Sequence, residues 1–542
     1  MQYTEIITKI LSGKKRKNKR QLQNLNKIGE IAEEFHKNCN TLTDPIKEKI
    51  DLLRRGEDCV IIEVAHQPNF MPYYGVWKKA VFAYYLANIF DERGYNAVAL
   101  FGFNDLDTTM SPFLSRNKIP YPSKEGYKSI GFKIKGANEW WRIWCKQPLP
   151  PVEDVEKQID FLIKTYTNHG LSQDDNDLIQ LNKLLRRCYI NNCTFSEANS
   201  KFFSIVCNKI FNLNIIFFTY SKAQESNVFT REYEYLLSKR KEYVNLYNKI
   251  IEIKGLNLEK VPENHVPFWY HCKCGGKVRL KVNEEKEDVM LLYGTCPICK
   301  DDFEISLKSE FNLSDIYKSI SFEAVSRELI VPTALGTDIY IEGLGGSLSF
   351  RQISNVISEK LGFNKPLSVR WKSHDKYISV LLHKPIFDFV RRHPISSLKY
   401  KLQSIDENSH IIYKKITELD AQRDVLKREL KKYKPKSNEF LAILERLREV
   451  DIKKKKLNAE MEKLSLISTN IQKFSKACNT IPSIIDEVLS VGFDNVLKQW
   501  LLDLKENDFN IEHTLRLPVK KIKGIDYKLV IEFVNFIENE GT

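Results

Sequence analysis

The chain has 542 residues, too many for one hydrophobic core, and 42% of them are hydrophobic, enough to fill several cores. No apolar run approaches the ~20 residues of a membrane span, and the start, MQYTEIITKI, lacks the apolar core of a signal peptide. Eleven cysteines are too sparse for a disulfide framework. We therefore expect a cytoplasmic protein of about three or four domains that does not enter a membrane.

The net charge of +14, from 84 Lys and Arg against 70 Asp and Glu, leaves a nucleic-acid partner open. The excess is partly local, because residues 13–20 have the sequence GKKRKNKR and Lys-rich helices follow residue 400. Solvated basic helix faces explain the same charge without any partner, and no RNA or DNA motif decides between the two.

Residues 1–56 are predicted to be mainly helical, with a helix start at Asp44-Pro45. The following stretch, VIIEVAHQPNFMPYYGVWKKAVFAYYLA, predicts a buried strand, a polar turn and an amphipathic helix. Ligands of open α/β sheets bind outside the carboxyl ends of the strands, which makes His66, Gln67 and Asn69 candidates for contacts to phosphate or substrate. A capped loop, in which these side chains only satisfy backbone groups, is the alternative.

A second strand, Asn96–Phe103, ends in Asn104, Asp105 and Asp107. A right-handed βαβ unit makes the tips of the two strands neighbours. The two carboxylates are candidates for orienting an amine or for binding Mg²⁺ together with phosphates. The alternative is that one of them caps the next helix. A Trp-rich insertion at 112–151, two helical segments and a third buried strand, Asn214–Tyr220, follow.

The cysteines at 271–303 form the clearest single motif, HCKCGGKVRLKVNEEKEDVMLLYGTCPICKDDF. Cys272 and Cys274 form one knuckle and Cys296 and Cys299 form the other, joined by a hairpin-like span. Four thiolates on two tight turns are the tetrahedral set of a closed, structural Zn²⁺ site, which leaves no open position for a water. His271 is a substitute ligand for the first knuckle.

The chain then returns to the main sheet. A strand at Asp338–Ile341 leads into a glycine-rich turn before the next helix, and a strand at Pro366–Trp371 ends in basic residues. Glycines between a strand and a helix let backbone amides approach an anion, although a plain glycine-rich turn has the same pattern. The candidates for anion or carboxylate binding are Gly343, Gly345, Gly346, Ser347, Arg370 and His374, with Lys372 as an electrophilic helper.

After residue 395 apolar residues recur at alternating spacings of three and four on both sides of a break at Lys434-Pro435. This pattern predicts an antiparallel coiled-coil hairpin, a common dimerisation device, so we expect a homodimer formed through it. The last segment, from Ile481 onward, is predicted to be helical.

These elements predict an α/β protein with a Rossmann-like parallel sheet, helical insertions, a zinc ribbon and a C-terminal antiparallel coiled coil. The predicted boundaries are an N-terminal helical segment at 1–56, the first half of the core at 57–260, the ribbon at 261–315, the second half of the core at 316–395, the coiled-coil hairpin at 396–475 and a C-terminal helical segment at 476–542.

The order of these parts resembles the BshC family, the cysteine-adding enzymes of bacillithiol biosynthesis, whose fold is similar to the class I aminoacyl-tRNA synthetase core. The turn and helix with Gln67, Gly75 and Lys78 resemble the family's Gly-Gln-Gln turn, Gly-Pro-Leu-Tyr helix and Lys. FGFNDLD resembles its Glu-Asp-His-Asp strand end, and SRELIVPTALGTDIYIEGLGGSLSFRQ with SVRWKS resembles its Gly-Gly-Pro block and Val-Pro-Arg strand. The resemblance implies that Tyr74 and Lys78 belong to the substrate or nucleotide site.

The sequence departs from that family at the same motifs. His66-Gln-Pro-Asn69 replaces Gly-Gln-Gln, Leu106 stands where the family has His, and the turn after Gly346 lacks the Glu of Gly-Gly-Pro. HQPNFMPYYG also resembles the opening of WbqC-like proteins, and H-x-x-N is similar to the H-x-G-H turn of class I nucleotidylyltransferases. The ribbon is outside the usual BshC plan and resembles those of class I lysyl-tRNA synthetases.

The resemblance implies a ligase that joins an amino acid, with cysteine as a candidate, to an amine-bearing small molecule, using ATP or another nucleotide with Mg²⁺. In such a reaction the protein positions the reactants and stabilises charge that develops at phosphate. One alternative is a nucleic-acid-binding or RNA-modifying protein, in which the ribbon, the basic N-terminal stretch and the hairpin contact RNA. The other is a non-enzymatic dimeric scaffold with a decayed site.

Overall fold

A mixed α/β architecture is built around two sheets in the computed structural model, which describes residues 2–13, 16–136, 138–190, 192–286, 289–308, 312–343 and 349–540. The strands are β1 (Val60–His66), β2 (Ala97–Phe103), β3 (Arg116–Pro120), β4 (Tyr127–Gly131), β5 (Ile216–Thr219), β6 (His265–His271), β7 (Lys277–Lys286), β8 (Val289–Thr295), β9 (Asp302–Lys308), β10 (Ile320–Phe322), β11 (Ile339–Ile341), β12 (Leu367–Val369), β13 (Ser373–Lys376) and β14 (His513–Arg516).

The α-helices lie mostly around the first sheet. They span Tyr3–Gly13, Lys19–Cys39, Asp44–Arg55, Tyr74–Glu92, Val152–Asn168, Asn176–Tyr189, Phe195–Ile205, Tyr220–Glu225, Thr230–Ser238, Arg240–Lys254, Ala324–Leu335, Phe350–Leu361, Val380–Arg392, Ile395–Leu430, Asn438–Cys478, Ile484–Val491, Phe493–Glu506 and Tyr527–Glu540. The helix predicted to start at Asp44-Pro45 does so, with Pro45 in its first turn.

The first sheet is parallel and has the order β12-β11-β1-β2-β5. The central strands β1 and β2 are buried on both faces, because alternate side chains enter two different hydrophobic clusters. In β1, Val60, Ile62 and Val64 belong to one cluster, whereas Ile61 and Ala65 belong to the other. The parallel sheet predicted from the continuous apolar runs is therefore confirmed.

The strand order reverses between β1 and β11. The chain runs outward from β1 to β2 and β5, and later returns to the opposite side of β1 to form β11 and β12. In open α/β sheets such a reversal leaves a crevice at the carboxyl ends of the two strands, because their connections leave in opposite directions. The residues that follow β1 and β11 therefore face each other across this crevice.

The second sheet is antiparallel, with the order β10-β6-β7-β8-β9. It contains the cysteine motif, and its β10 leads directly into the helix Ala324–Leu335 of the core. The ribbon is thus joined to the core sheet by packing as well as by the chain: Phe268 and Leu292 of this sheet share a hydrophobic cluster with Ile61 of β1.

The two long helices Ile395–Leu430 and Asn438–Cys478 pack against each other as a hairpin. Leu426 contributes to a small buried cluster with Ile443, Leu447 and Val450. Cross-helix ion pairs, Arg423 with Asp451 at 2.8 Å and Lys454 with Asp420, give the antiparallel register. Supercoiling of this hairpin and dimerisation through it stay predictions.

The C-terminal segment was predicted to be wholly helical, and this is wrong for residues 513–516. They form β14, which pairs in parallel with β13. The helices around it enter the main core, where Ile485, Val488 and Trp500 are buried in the same cluster as Val60. Within the residues that the structure describes, no helix is long and apolar enough to cross a membrane.

Candidate functional site

Two adjoining cavities open at the carboxyl end of the parallel sheet, one of about 610 Å³ and one of about 920 Å³. Four residues line both cavities: His66, Lys79, Glu342 and Gly343. His66 ends β1, and Glu342 and Gly343 follow β11, so the junction of the cavities lies at the point where the strand order reverses. The crevice expected from the topology is therefore an actual space in the structure.

His66 is held as a neutral imidazole. Its Nδ1 lies 2.9 Å from the Gln67 carbonyl oxygen. A carbonyl only accepts hydrogen bonds, so Nδ1 carries the ring proton and Nε2 is left as an acceptor. Burial, reinforced by the charge of Lys79, lowers the His66 pKa to about 3. This side chain can accept a hydrogen bond from a ligand, but it is a poor base.

Lys79 supplies the positive charge at the junction. It makes no hydrogen bond or ion pair with any residue in the described part of the chain, and burial, together with repulsion from Arg327, lowers its pKa to about 8. Its ammonium lies against the backbone at Gly343, where an added Cβ would come within 3.0 Å of Nζ. Because glycine has no Cβ, Gly343 leaves room for the Lys79 ammonium.

Arg327 provides a second unsatisfied donor on the smaller cavity. Its Nη1 is buried and has no hydrogen-bond partner, while Nη2 lies 3.7 Å from Glu328. Glu342 cannot compensate Lys79 fully, because it forms an ion pair with Arg351 at 2.9 Å. Two cationic side chains thus face this cavity with donors left for an anion.

Lys78, which the family resemblance placed in the site, is already paired. Its ammonium forms a buried ion pair with Asp375 and donates to Ser373, with Oγ at 3.2 Å. Asp375 also accepts from Trp500 at 2.9 Å. Lys78 still lines the larger cavity, but as part of its floor, with the Trp371 ring 4.5 Å from Nζ.

The residues after β2 point in different directions. Asn104 and Asp107 line the smaller cavity, as does Gln67. The Gln67 side-chain amide donates a hydrogen bond to the Asp107 carboxylate at 3.0 Å, and Lys277 Nζ of the ribbon lies 3.4 Å from the same carboxylate. Burial raises the pKa of Asp107, but Lys277 and these hydrogen bonds outweigh burial and bring the pKa below its ordinary value. Asp107 is therefore a fixed carboxylate.

Asp105 does not share that cavity, so the predicted pair of carboxylates does not act on one ligand. It accepts from the Ser221 backbone at 2.9 Å and from its hydroxyl at 2.5 Å, and it lines a separate cavity with Lys201. Burial raises its pKa to about 6. Asn69 lines neither of the two joined cavities.

The basic residues after β12 line the larger cavity, which also contains Tyr74. These residues are Arg370, Lys372 and His374. His374 is half exposed and its Nε2 lies 2.6 Å from Glu512, while its Nδ1 is 3.5 Å from the Tyr74 hydroxyl. Of the glycine-rich turn only Gly343 can be placed, because Gly345, Gly346 and Ser347 lie outside the described residues.

Several cavity residues were not predicted from the sequence. Lys79 is adjacent to Lys78 in a helix, and a helical wheel could have shown that the two lysines face different directions. Arg327 lies in SREL, within the stretch already compared with the BshC family. Trp269 and Lys277 come from the ribbon, and no local pattern reveals that they reach the smaller cavity.

The four cysteines of the ribbon come together as a set that can hold a metal ion. Their sulfur atoms all lie within 4.8 Å of one another, and the Cys272–Cys299 and Cys274–Cys296 pairs are each 3.5 Å apart. Zinc–sulfur bonds of ~2.3 Å in a tetrahedron place sulfurs about 3.8 Å apart, so the spacing fits. His271 is outside this group of ligands, and its Nε2 lies 2.8 Å from Ser321 Oγ.

The cysteine knuckles are bound to the core. Arg142 donates to the Cys274 carbonyl oxygen at 2.7 Å, and the Ile143 amide donates to the Gly275 carbonyl oxygen at 3.0 Å. An added Cβ at Gly276 would lie 2.6 Å from Cys296 Sγ, so only glycine lets the backbone come this close. β7 begins at Lys277, directly after this glycine, so the metal-binding end of the ribbon lies close to the lysine that pairs with Asp107.

Comparison with known proteins adds little to this picture. No protein-family model and no curated protein matches the chain. A solved structure from Campylobacter jejuni, described as a "putative arginyl t-RNA synthetase", matches with 11% sequence identity and a TM-score of 0.22, over 94% of this chain and 95% of its own. At that TM-score the match carries no argument about fold or function.

The state of His66 can be measured directly. We expect ¹⁵N NMR of histidine-labelled protein to show His66 neutral, with its proton on Nδ1, from pH 5 to pH 8, because burial holds its pKa at about 3. His66→Gln assigns the signal by removing it. A His66 signal that titrates near pH 6.5, or a proton on Nε2, would contradict this description of the site.

Proposed function

We propose that this protein is a nucleotide-dependent ligase that joins an amino acid to an amine-bearing small molecule at the junction of the two cavities. One observation carries the proposal: the tips of four neighbouring parallel strands meet at the point of strand reversal, around Lys79, whose charge Glu342 compensates only in part and whose ammonium forms no ion pair with the described residues. β1, β2, β11 and β12 contribute His66, Asn104, Gly343 and Arg370 to the two cavities.

The positive charge at the junction favours a ligand that carries phosphate or carboxylate. The half-buried Lys79 ammonium and the buried Nη1 of Arg327 have no hydrogen-bond partner among the described residues, and an anion supplies one to both. Lys79 faces both cavities and Arg327 faces the smaller one. An anion at the junction therefore contacts Lys79 whichever cavity holds the rest of the molecule.

We assign the nucleotide to the larger cavity. Tyr74, Tyr127 and Trp371 offer aromatic surfaces for a base, and Arg370 and Lys372 add positive charge. In this arrangement the phosphates point toward Lys79 and the base lies over the floor formed by Lys78 and Trp371. Mg²⁺ enters with the nucleotide phosphates, since Asp105 and Asp107 do not face a common site.

The smaller cavity is then left for the acceptor substrate. Asn104, Asp107 and the unprotonated Nε2 of His66 supply hydrogen-bond acceptors for amine or hydroxyl groups. The chemistry takes two steps. An amino-acid carboxylate oxygen bonds to the α-phosphorus of ATP and pyrophosphate leaves; the amine nitrogen then bonds to the acyl carbon, AMP leaves, and the amine gives one proton to solvent. Lys79 stabilises negative charge in both steps.

The titration of Lys79 gives a specific test. ATP affinity, measured by calorimetry with Mg²⁺, should fall as the pH rises through about 8, because the ammonium loses its proton and with it the attraction for phosphate. Lys79→Gln should bind ATP about 10- to 100-fold more weakly than the native protein at pH 7, the worth of a hydrogen bond between charged groups.

The matched control is Lys79→Arg, which keeps the positive charge at every pH used. It should bind ATP at pH 7 and retain that affinity at pH 9. If ATP does not bind, or if Lys79→Gln binds it as tightly as the native protein does, the proposed site is wrong. A fall through pH 8 that persists in Lys79→Arg would show that another group is responsible.

We also propose that the four ribbon cysteines hold one structural Zn²⁺. Four thiolates favour zinc and complete its tetrahedral shell, so the ion supports the fold and does not take part in the reaction. β7 begins at Lys277, close to the first knuckle, and Lys277 lines the smaller cavity. Loss of the ion should therefore also make the wall of the smaller cavity less rigid.

Metal analysis tests this assignment. Purified protein should contain about one zinc per chain, and the double variant Cys274→Ser, Cys299→Ser should contain none and melt at a lower temperature. Cys193→Ser is the control, because Cys193 is exposed and outside the cluster. Zinc retained by the double variant, or iron in place of zinc in the native protein, would contradict the assignment.

A further inference from the structure

The end of the helical hairpin carries a concentrated positive charge. We call residues 427–436, KRELKKYKPK, the hairpin tip; it contains six Lys or Arg and one acidic residue, Glu429. All six basic side chains are exposed. The tip joins the two long helices Ile395–Leu430 and Asn438–Cys478, at the end of the hairpin away from Ile395 and Cys478.

The ion pairs of the described residues leave the charge of the hairpin tip unneutralised. The cross-helix ion pairs lie below it, between Arg423 and Asp451 and between Lys454 and Asp420. Across the described residues, none of the six basic side chains of the tip forms an ion pair. Crowding like charges at one end of a hairpin is unfavourable for folding, so a polyanionic partner is the ligand that this surface fits.

A second basic group lies further along the same hairpin. Lys415, Lys453 and Lys456 line a groove of about 440 Å³ between the two helices, together with one carboxylate, that of Glu418. At a rise of ~1.5 Å per residue, Lys456 lies about 30 Å from Lys436 along the helix. That distance equals about nine nucleotides of one strand at ~3.4 Å per phosphate. One extended polyanion can therefore contact both groups.

Tyr433 distinguishes between kinds of polyanion. Its side chain is 44% exposed in the middle of the lysines of the tip. An exposed aromatic ring among cations is the arrangement on which nucleic-acid bases stack, while the lysines hold the phosphates. Insertion into a membrane would instead need a contiguous apolar surface, and every neighbour from Lys431 to Lys436 other than Tyr433 is Lys or Pro.

We propose that the hairpin tip binds nucleic acid, with its lysines on the phosphate backbone and Tyr433 stacked on a base. This proposal goes beyond the ligase function and does not depend on it, because the tip is separate from both cavities. RNA and single-stranded DNA offer the same phosphates and exposed bases, and the experiment separates them.

The experiment compares two variants that each lose four positive charges. The tip variant replaces Lys427, Lys431, Lys432 and Lys434 with Gln. The control variant replaces four exposed lysines elsewhere, none of which forms an ion pair with the described residues: Lys9, Lys183, Lys254 and Lys498. Fluorescence anisotropy with labelled 20-nucleotide RNA and DNA single strands, from 50 to 300 mM salt, gives the affinity and its salt dependence.

We expect the native protein and the control variant to bind at least one of the two strands, and the tip variant to bind at least tenfold more weakly. The slope of log K against log salt should fall by about three in the tip variant, since each phosphate contact on a single strand contributes ~0.7. Tyr433→Leu should weaken binding with the slope unchanged, because stacking releases no counter-ions.

Three results would overturn the proposal. The first is that the native protein binds neither strand at 50 mM salt. The second is that the control variant loses as much affinity as the tip variant does, which would mean a general effect of net charge. The third is that vesicles with anionic lipid bind through the tip while nucleic acid does not. Equal melting temperatures of the two variants show that a loss of binding is not a loss of folding.

Discussion

The reversal of strand order between β1 and β11 is the constraint on which the site depends. A parallel sheet that grows outward in both directions from β1 leaves no connection to cover the carboxyl ends of these two strands, so a crevice forms there. Lys79 projects into this crevice from the helix that follows β1, and Gly343 leaves room for its ammonium. The same topology that makes the cavity therefore places an incompletely compensated charge in it.

Other parts of the chain complete this crevice from outside the sheet. The ribbon provides Trp269 and Lys277 to the smaller cavity, and the segment around β14 supplies Glu512 to the larger one. Two ion pairs fix the surroundings: Lys78 is held by Asp375 in a buried pair, and Asp107 is held by Lys277 in a partly exposed one. Lys78 and Lys277 are thus already paired with carboxylates. Lys79 differs from both because it forms no ion pair with the described residues and because it lies at the junction of the cavities.

The sequence predicted what depends on local pattern. The buried strands β1 and β2 appear as continuous apolar runs because both faces of a parallel sheet are covered, and the cysteine knuckles are recognisable because the ligands of each knuckle are close in sequence. The direction of individual side chains was harder to predict. Asp105 and Asp107 are two residues apart but face different cavities, because the chain leaves the strand and no longer alternates regularly.

Particular side-chain contacts and strand pairings between distant segments could not be predicted from local pattern. The pairing of β13 with β14 joins residues about 140 positions apart, and four residues of mixed character, HTLR, carry no strand pattern of their own. A contact between distant segments also decides that Lys79, and not Lys78, supplies the ammonium at the junction. Asp375, which holds Lys78, is almost 300 residues away, so the family motif alone could not show which of the two lysines was free.

A crystal structure of the protein with a non-hydrolysable ATP analogue and Mg²⁺ would show where the nucleotide binds. We expect electron density for the base in the larger cavity, with a phosphate oxygen within hydrogen-bonding distance, about 2.7–3.2 Å, of Lys79 Nζ at the junction. An analogue bound away from the carboxyl end of the parallel sheet, or bound there with Lys79 turned away from the phosphates, would contradict this expectation.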